Sequence, residues 1–569
     1  MFSCLAPLAS FVASGLFAQP QQTIQSPAGG VWETPFQHDL TGFPPLLPRF
    51  NAVHLSLIPR GSQRGKVLVF DLYAEDTQPE WKQRWAIVDV DGVGGPQFQN
   101  GILSLPAGEG DFFCAGHSWT SDGNLFVAGG TSQYPGSKLL HPSSNGKFIG
   151  GKLTYLWDPE PAPMGSWVRQ PNMAVDRWYP SVTNLPDGRL LVAGGTETTE
   201  SDIRSDNDYE VFRTTTKTRG EWETNGSSTL FAGPSIIAPL SIYPRLFQLS
   251  TGQQFLGGMT GRSSRLDHFD EPGRWTPMAH SRWEYRSYGS PVLMPLRPDA
   301  FGNYRDEVWL IGGICLDIRR WRSLDGDFGL SDGVSDTLVE ACLPGSDDPA
   351  DWKWTARPSL NHGRSVANAV ILADGTLFLV GGRAGYVDSA EVPVRQPEVF
   401  DGLSWTSVAP QATVRSYHST AVLLPSGKVL SAGGDSSNFD YQVFVPAYLT
   451  AGLPRPRVTS APRNLGYSSE DVFPRDHRIE FEALPAGHQV ARAVLVSAGS
   501  VTHHCDVNQR SIELVSVASE ATALTVRAPR DANLAPPGYY MLFLLTERGI
   551  PSHAEWVRVA SQIPPVRER

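Results

Sequence analysis

The chain has 569 residues with a formal net charge of -11, and it contains 55 glycines, 46 prolines and 16 tryptophans. That length exceeds what one ordinary core supports, so a large repeat domain followed by a second domain is expected. The acidic balance, with no long Lys/Arg block, argues against a nucleic-acid partner, and the glycine and proline content predicts many turns and short strands.

Residues 1–18 (MFSCLAPLASFVASGLFA) carry no charge and end in small residues before Gln19-Pro20. They read as a secretory signal with a weak basic region. Pro7 and Gly15 interrupt the apolar run, and no later stretch approaches the roughly 18 apolar residues of a membrane span. The expectation is an exported soluble protein, extracellular or periplasmic.

Residues 19–445 are repetitive. Six segments, SDGNLFVAGG, PDGRLLVAGG, TGQQFLGG, RDEVWLIGG, ADGTLFLVGG and PSGKVLSAGG, share a turn, a hydrophobic strand and Gly-Gly, with tryptophans later in the units at 167, 222, 275, 354 and 405. A weaker first copy, GKVLVFDLY followed by QRWAIVDVDG, makes seven units. Four strands per unit with Gly-Gly and Trp markers predict an all-β fold, a seven-bladed kelch-type propeller, because one such unit buries its faces only by stacking on the next. The run before each turn, such as SVTNLPDG or HSTAVLLPSG, reads as the innermost strand. No helix is predicted.

From residue 446 the pattern changes to a Pro-rich boundary, AYLTAGLPRPRVTSAP, then to the alternating runs RIEFEAL, ARAVLVSAG, IELVSVA, TALTVRA and YYMLFLL. Residues 446–569 are therefore expected to form an immunoglobulin-like β-sandwich. Cys315 and Cys342 lie in successive strand runs, which leaves open either a disulfide between them or two buried thiols.

Within the repeats, chemically capable side chains recur at one rank. Cys114 stands nine residues before Gly123, Tyr179 nine before Gly188, Tyr243 nine before Gly252 and His418 nine before Gly427. Equal rank in successive repeats means equivalent places in space, so a thiol, two phenols and an imidazole should gather near the axis. That composition points to a metal or redox centre.

Three propeller motifs, D111FFCAGHSW, D176RWYPS and V414RSYHSTAVLLP, together with G499SVTHHCDVNQR in the second domain, resemble the copper radical oxidases, the glyoxal oxidases and galactose oxidases. The resemblance spans nearly the whole chain. It implies that Tyr179, Tyr417, His418 and His503 hold Cu(II), that Cys114 is joined to Tyr179 by a thioether, and that the modified tyrosine stores an oxidising equivalent as a radical. It further implies that Tyr417 accepts the substrate hydroxyl proton and that dioxygen is the acceptor. Two imidazoles and phenolates suit tetragonal Cu(II), whereas a structural zinc site favours several cysteines. Tyr417 and His418 are sequence neighbours and would face opposite ways in a regular strand, so both can serve only if the backbone turns there.

Taken singly, Tyr179 and Tyr243 also read as repeat aromatics, because Arg-x-Tyr-x-Ser recurs as RSYGS at Tyr288, and His117, His504 and Cys505 read as structural residues. Where galactose oxidases carry a tryptophan stacked over the thioether, this chain has Glu197 in Gly194-Gly195-Thr196-Glu197. That departure argues against galactose, while DRWYPS, CAGHSW and DNDYEVF look more like the glyoxal-oxidase branch, which oxidises small aldehydes to acids and releases hydrogen peroxide. A primary-alcohol or carbohydrate oxidase on the same site is the nearest enzymatic alternative. A non-catalytic kelch module that binds carbohydrate or protein is the other, with extracellular polysaccharide as a further conceivable partner; such a module has no need of Cys114 beside Tyr179.

Overall fold

The structure is a computed structural model. It describes residues 29–561 except 44–49, 72–80, 107–108, 135–147, 197–207, 224–230, 233–239, 241, 258–259, 271, 317–333, 385–391, 435–438 and 471–473. The signal-like segment 1–18 and Glu197 lie outside the described residues.

The described chain is nearly all β. Its only helical pieces are one α-helical turn, Ala447–Thr450, and one 3-10 turn, Pro349–Trp352. Seven antiparallel sheets of four or more strands follow the repeats. Their inner strands include His54–Leu57, Gly116–Trp119, Ser181–Asn184, Leu246–Gln248, Ser290–Leu293, Asn368–Ile371 and Ser419–Leu423. The weak first repeat is a genuine sheet, in which Val67–Phe70 pairs with Trp81–Asp89. The last sheet takes Gly30–Trp32 from the N-terminal end of the described chain as an additional strand, paired with Asp440–Pro446.

The Gly-Gly motif has a steric and a polar cause. Gly312 and Gly381 adopt φ values of 58° and 73°. A Cβ there would sit 2.3 Å from the Arg364 carbonyl oxygen and 2.6 Å from that of Arg415, so the backbone of the following unit leaves room only for hydrogen. The glycine carbonyls in turn accept from a buried arginine of their own unit: Arg177 Nη1 to Gly194 O at 2.8 Å, Arg286 Nε to Gly312 O at 2.6 Å and Arg364 Nη1 to Gly381 O at 3.2 Å. Each guanidinium also pairs with an acid on the third strand, Arg177 with Glu210, Arg286 with Glu340, Arg364 with Glu398 and Arg415 with Asp440. These locks fix the segment that enters each inner strand.

After the helical turn come a four-stranded sheet containing Asp476–Phe481 and Ala523–Arg527 and a five-stranded sheet containing Val490–Ser497 and Gly538–Thr546. Period-two alternation divides the latter's side chains. Leu495, Leu542 and Leu544 pack with Ile479 and Leu524 of the former sheet, while Val494, Val496, Met541 and Phe543 join the core of the first, sixth and seventh repeat sheets. Both faces of YYMLFLL are buried, which is why it reads as a continuous apolar run.

The segment around His503 enters the repeat region instead of staying with its own sheets. Ser500–Thr502 is a further strand of the first sheet, paired with His54–Leu57. Ser500 Oγ reaches His117, Asn508 reaches the Val182 carbonyl, Arg510 the Gln248 carbonyl and Gln509 the Ala369 carbonyl, while His504 N donates to the Ser419 carbonyl. The segment thus touches inner strands of successive sheets.

Of the two alternatives left open for the cysteines, Cys342 takes the buried thiol. Cys342 is a free, buried thiol that donates to the Trp352 carbonyl at 3.3 Å, with burial pushing its pKa up to about 12. Cys315 lies on Ile314–Leu316 of the fourth sheet, whereas Cys342 ends a strand of the fifth. The two runs follow each other in sequence but do not pair, so no disulfide joins them; the Cys315 side chain is outside the described residues.

Candidate metal centre

Left-handed backbone marks the site. Among the described residues, the non-glycine positions with positive φ are Cys114 (65°), Tyr179 (64°), Tyr243 (43°), Tyr288 (54°), Val366 (52°), His418 (63°), His503 (48°) and His504 (59°). All but the two histidines at 503 and 504 stand within three residues before the start of an inner strand, and those two immediately follow Ser500–Thr502. Such residues cost on the order of 1–3 kcal/mol each and persist only where their surroundings over-determine them. Here the fixing contacts run from sheet to sheet: Tyr179 N donates to the Cys114 carbonyl at 3.0 Å, Tyr243 N to the Tyr179 carbonyl at 2.6 Å and Val366 N to the Tyr288 carbonyl at 2.9 Å. Side chains at this rank therefore turn towards one another.

Cys114, Tyr179 and Tyr243 are buried in one cluster with Val53 and Phe113, with Tyr417 packed against it. The two phenol oxygens, Tyr179 OH and Tyr417 OH, are 2.7 Å apart. The His503 ring centroid lies 4.7 Å from that of Tyr179, 4.5 Å from His418 and 5.5 Å from Tyr417. Tyr417 and His418 meet at 4.2 Å with a 35° tilt, because the left-handed turn at His418 puts the neighbours on the same side. Cys114 Sγ is 3.6 Å from His503 Nε2. The structure thus brings together all five residues singled out by motif.

Burial favours the uncharged forms of Cys114, Tyr179 and His503. Burial holds the Cys114 thiol and the Tyr179 phenol well above their ordinary ranges and keeps the His503 imidazole well below its own, where His418 and His54 add to the effect. Asp111, two residues beyond Phe113 towards the N-terminus, is itself pushed up by burial and is engaged by Tyr134 OH and Phe113 N. A dication would invert this logic, since it favours phenolate and takes neutral imidazole as ligand. Two imidazoles and two phenols with no carboxylate are a donor set that fits Cu(II) and not a hard oxygen-seeking ion or a thiolate zinc site.

Sequence reasoning left several neighbours unassigned. Tyr243, set aside as a repeat aromatic although it shares the rank of Cys114, packs edge-on against Tyr179 at 4.6 Å and places its OH 3.2 Å from His503 Nδ1. Trp178 stands edge-on to Tyr179 at 4.0 Å, with Phe148 stacked on it at 5.2 Å. Trp178 and Phe148 thus pack beside the Tyr179 ring within the same buried cluster. Beyond Tyr417 lie Tyr288, at 5.7 Å, and His504, whose Nε2 is 3.3 Å from Arg245 Nη2.

Residues 107–451 match the glyoxal oxidase N-terminus family, and residues 455–559 match the galactose oxidase-like early set domain. The chain belongs to the glyoxal oxidase family. Its resemblance to the copper radical oxidases is thereby borne out. Galactose oxidase of Gibberella zeae is 25% identical over 469 residues, which are 79% of this chain and 61% of that protein. Aldehyde oxidase GLOX1 of Arabidopsis thaliana is 26% identical over 484 residues, covering 78% of this chain and 71% of that one. The chain therefore spans less than two thirds of the Gibberella protein's length. Among solved structures, a fungal alcohol oxidase of the AA5 family in complex with copper superposes with a TM-score of 0.70 over 93% of this chain and 99% of that chain, at 21% identity, so the two share their fold.

Proposed function

We propose that this glyoxal oxidase family member is an exported copper radical oxidase that converts small aldehydes, as their hydrates, into carboxylic acids. The reaction balances as RCH(OH)2 plus O2 giving RCOOH plus H2O2. In this reading residues 19–445 are a seven-bladed propeller, residues 446–569 a β-sandwich that supplies one ligand, and residues 1–18 a signal peptide. The observation that carries it is the convergence of Tyr179, Tyr417, His418 and His503 on one point, with Cys114 in the same buried cluster.

Those four side chains would hold the copper, which supplies one of the two oxidising equivalents and polarises the substrate oxygen. Tyr417, hydrogen-bonded to Tyr179 through the phenol oxygens, takes the substrate hydroxyl proton. Tyr179, packed beside Trp178, would carry the thioether to Cys114, and the modified ring would supply the acceptor for the hydrogen leaving carbon. Burial of Tyr179, only 3% exposed, excludes solvent from its ring.

A second reading, a primary-alcohol or carbohydrate oxidase, is favoured by the relatives named galactose oxidase and alcohol oxidase. A peroxide-release assay on copper-loaded protein with glyoxal, methylglyoxal, primary alcohols and galactose distinguishes them. Aldehydes should be turned over fastest and galactose slowly; the reverse order selects the second reading, and stoichiometric zinc with no copper uptake removes both.

A further inference from the structure

The hydrogen bonds behind His503 fix which of its nitrogens carries the proton. Nδ1 faces two hydroxyls, Thr502 Oγ1 at 2.6 Å and Tyr243 OH at 3.2 Å. Each hydroxyl has one hydrogen, and each already has a carbonyl to give it to: Thr502 Oγ1 donates to the Val53 carbonyl at 3.2 Å, and Tyr243 OH to the Ala115 carbonyl at 3.2 Å. Both oxygens are then left as acceptors, which only an Nδ1–H can satisfy. In the other tautomer a bare Nδ1 has a single lone pair, so at most one hydroxyl could donate to it, at the expense of its carbonyl. The other hydroxyl would face it unbonded, and the Nε2–H would point at the Cys114 sulfur, a weak acceptor 3.6 Å away. His503 is 0% exposed, so water does not make up the loss.

We propose that Tyr243 and Thr502 are positioning residues that lock His503 as the Nδ1–H tautomer before metal arrives, leaving the Nε2 lone pair directed at the centre. The inference rests on the reading above in which His503 is a copper ligand, and it assigns a role to a phenol that lies outside the donor set. Thr502 comes from the strand before His503, whereas Tyr243 comes from the fourth repeat unit, so the ligand is clamped from both sides of the domain junction. Tyr243 also packs on Tyr179, which ties the orientation of two donors to one residue.

The test uses the full-length, metal-free protein labelled with 15N-histidine, with His503 assigned from a His503→Gln variant, and then copper titration with electron paramagnetic resonance. Wild type should show His503 with a protonated Nδ1 and a bare Nε2. Tyr243→Phe combined with Thr502→Val should give mixed tautomers, copper binding weakened about 10- to 100-fold and altered copper hyperfine splitting, the range expected for loss of outer-shell partners. Thr502→Ser keeps the acceptor and should behave as wild type. Each single variant removes only one polar group, so the comparison survives if the double variant fails to fold: both should weaken copper in the same direction. A protonated Nε2 in the metal-free wild type, or unchanged copper affinity in the Tyr243→Phe and Thr502→Val variants, overturns the proposal. If wild type shows the stated tautomer yet takes up no copper, the lock stands and the ligand assignment falls.

Discussion

Arg177 is the most informative residue to remove, because it supports Tyr179 without touching the centre. Its side chain is 0% exposed and donates to Asp208 Oδ1 at 2.5 Å, to Glu210 Oε1 at 3.2 Å and to the Gly194 carbonyl at 2.8 Å. Arg177→Met leaves Glu210, 1% exposed, without its counter-charge, and breaking a buried pair in this way costs about 3–5 kcal/mol. The pH dependence has a definite sign. Burial already raises the Glu210 pKa against the lowering pull of Arg177, so the variant raises it further. A carboxyl whose folded pKa is raised keeps a proton that the unfolded chain releases. Its destabilising effect therefore grows as pH rises above the unfolded carboxylate pKa and is relieved by acid. Urea unfolding of wild type and variant should show the full deficit near pH 7 and a clearly smaller one near pH 5, and adding Glu210→Gln should recover part of it. Turnover should fall as well, since Tyr179 holds its left-handed conformation two residues further on. A deficit under about 1 kcal/mol, or one that does not change between the two pH values, would refute the view that the buried ion pairs hold the entry segments.

Cys114→Ser should preserve folding and most copper binding while removing most turnover; in the active parent, mass spectrometry should recover the Cys114 and Tyr179 peptides as one species lighter by two hydrogens, and free Cys114 there would exclude the radical mechanism. His503→Ala should weaken copper by about tenfold or more in a chelator competition titration, although the residue lies beyond the repeats, and unchanged affinity would remove it from the ligand set. His38 is buried between Tyr441 OH and the Asn100 side chain, and burial lowers its pKa to about 4. It favours the fold most above the unfolded histidine pKa, so stability should fall by up to about 3 kcal/mol as pH drops from roughly 6.5 to 4; His38→Gln should flatten that part of the profile, and a variant with the parent's slope would exclude it.

Much of the molecule is legible along the chain because repeats convert position into geometry. The turn-strand-Gly-Gly pattern locates the inner strands, and the nine-residue spacing of Cys114, Tyr179, Tyr243 and His418 marks the residues that meet. What was illegible involves partners without local signature. Arg177 and Glu210 are 33 residues apart, and Arg364 and Glu398 are 34 apart, so the locks emerge only when the sheet has folded and the segment entering the first strand meets the third strand. Tyr288 shares the left-handed conformation without the nine-residue spacing. Cys315 and Cys342 fell on neighbouring runs, but intervening strands sent those runs to different sheets.

The sequence by itself determined the chemistry on offer and its approximate meeting place: an all-β chain whose thiol, phenols and imidazoles recur at one rank, together with a histidine in a later region. Hydrophobic alternation, turn residues and repeat register are local properties, and local properties survive in a one-dimensional reading. The tertiary structure decided that Tyr417 and His418 point the same way, that Trp178 and Phe148 pack beside Tyr179, and that the segment holding His503 enters the repeats as a strand beside His54–Leu57. Each of these depends on positive backbone angles or on contacts between residues hundreds of positions apart. Left-handed conformations at non-glycine residues are unfavourable in isolation, so only the packed neighbours that enforce them determine where those side chains point.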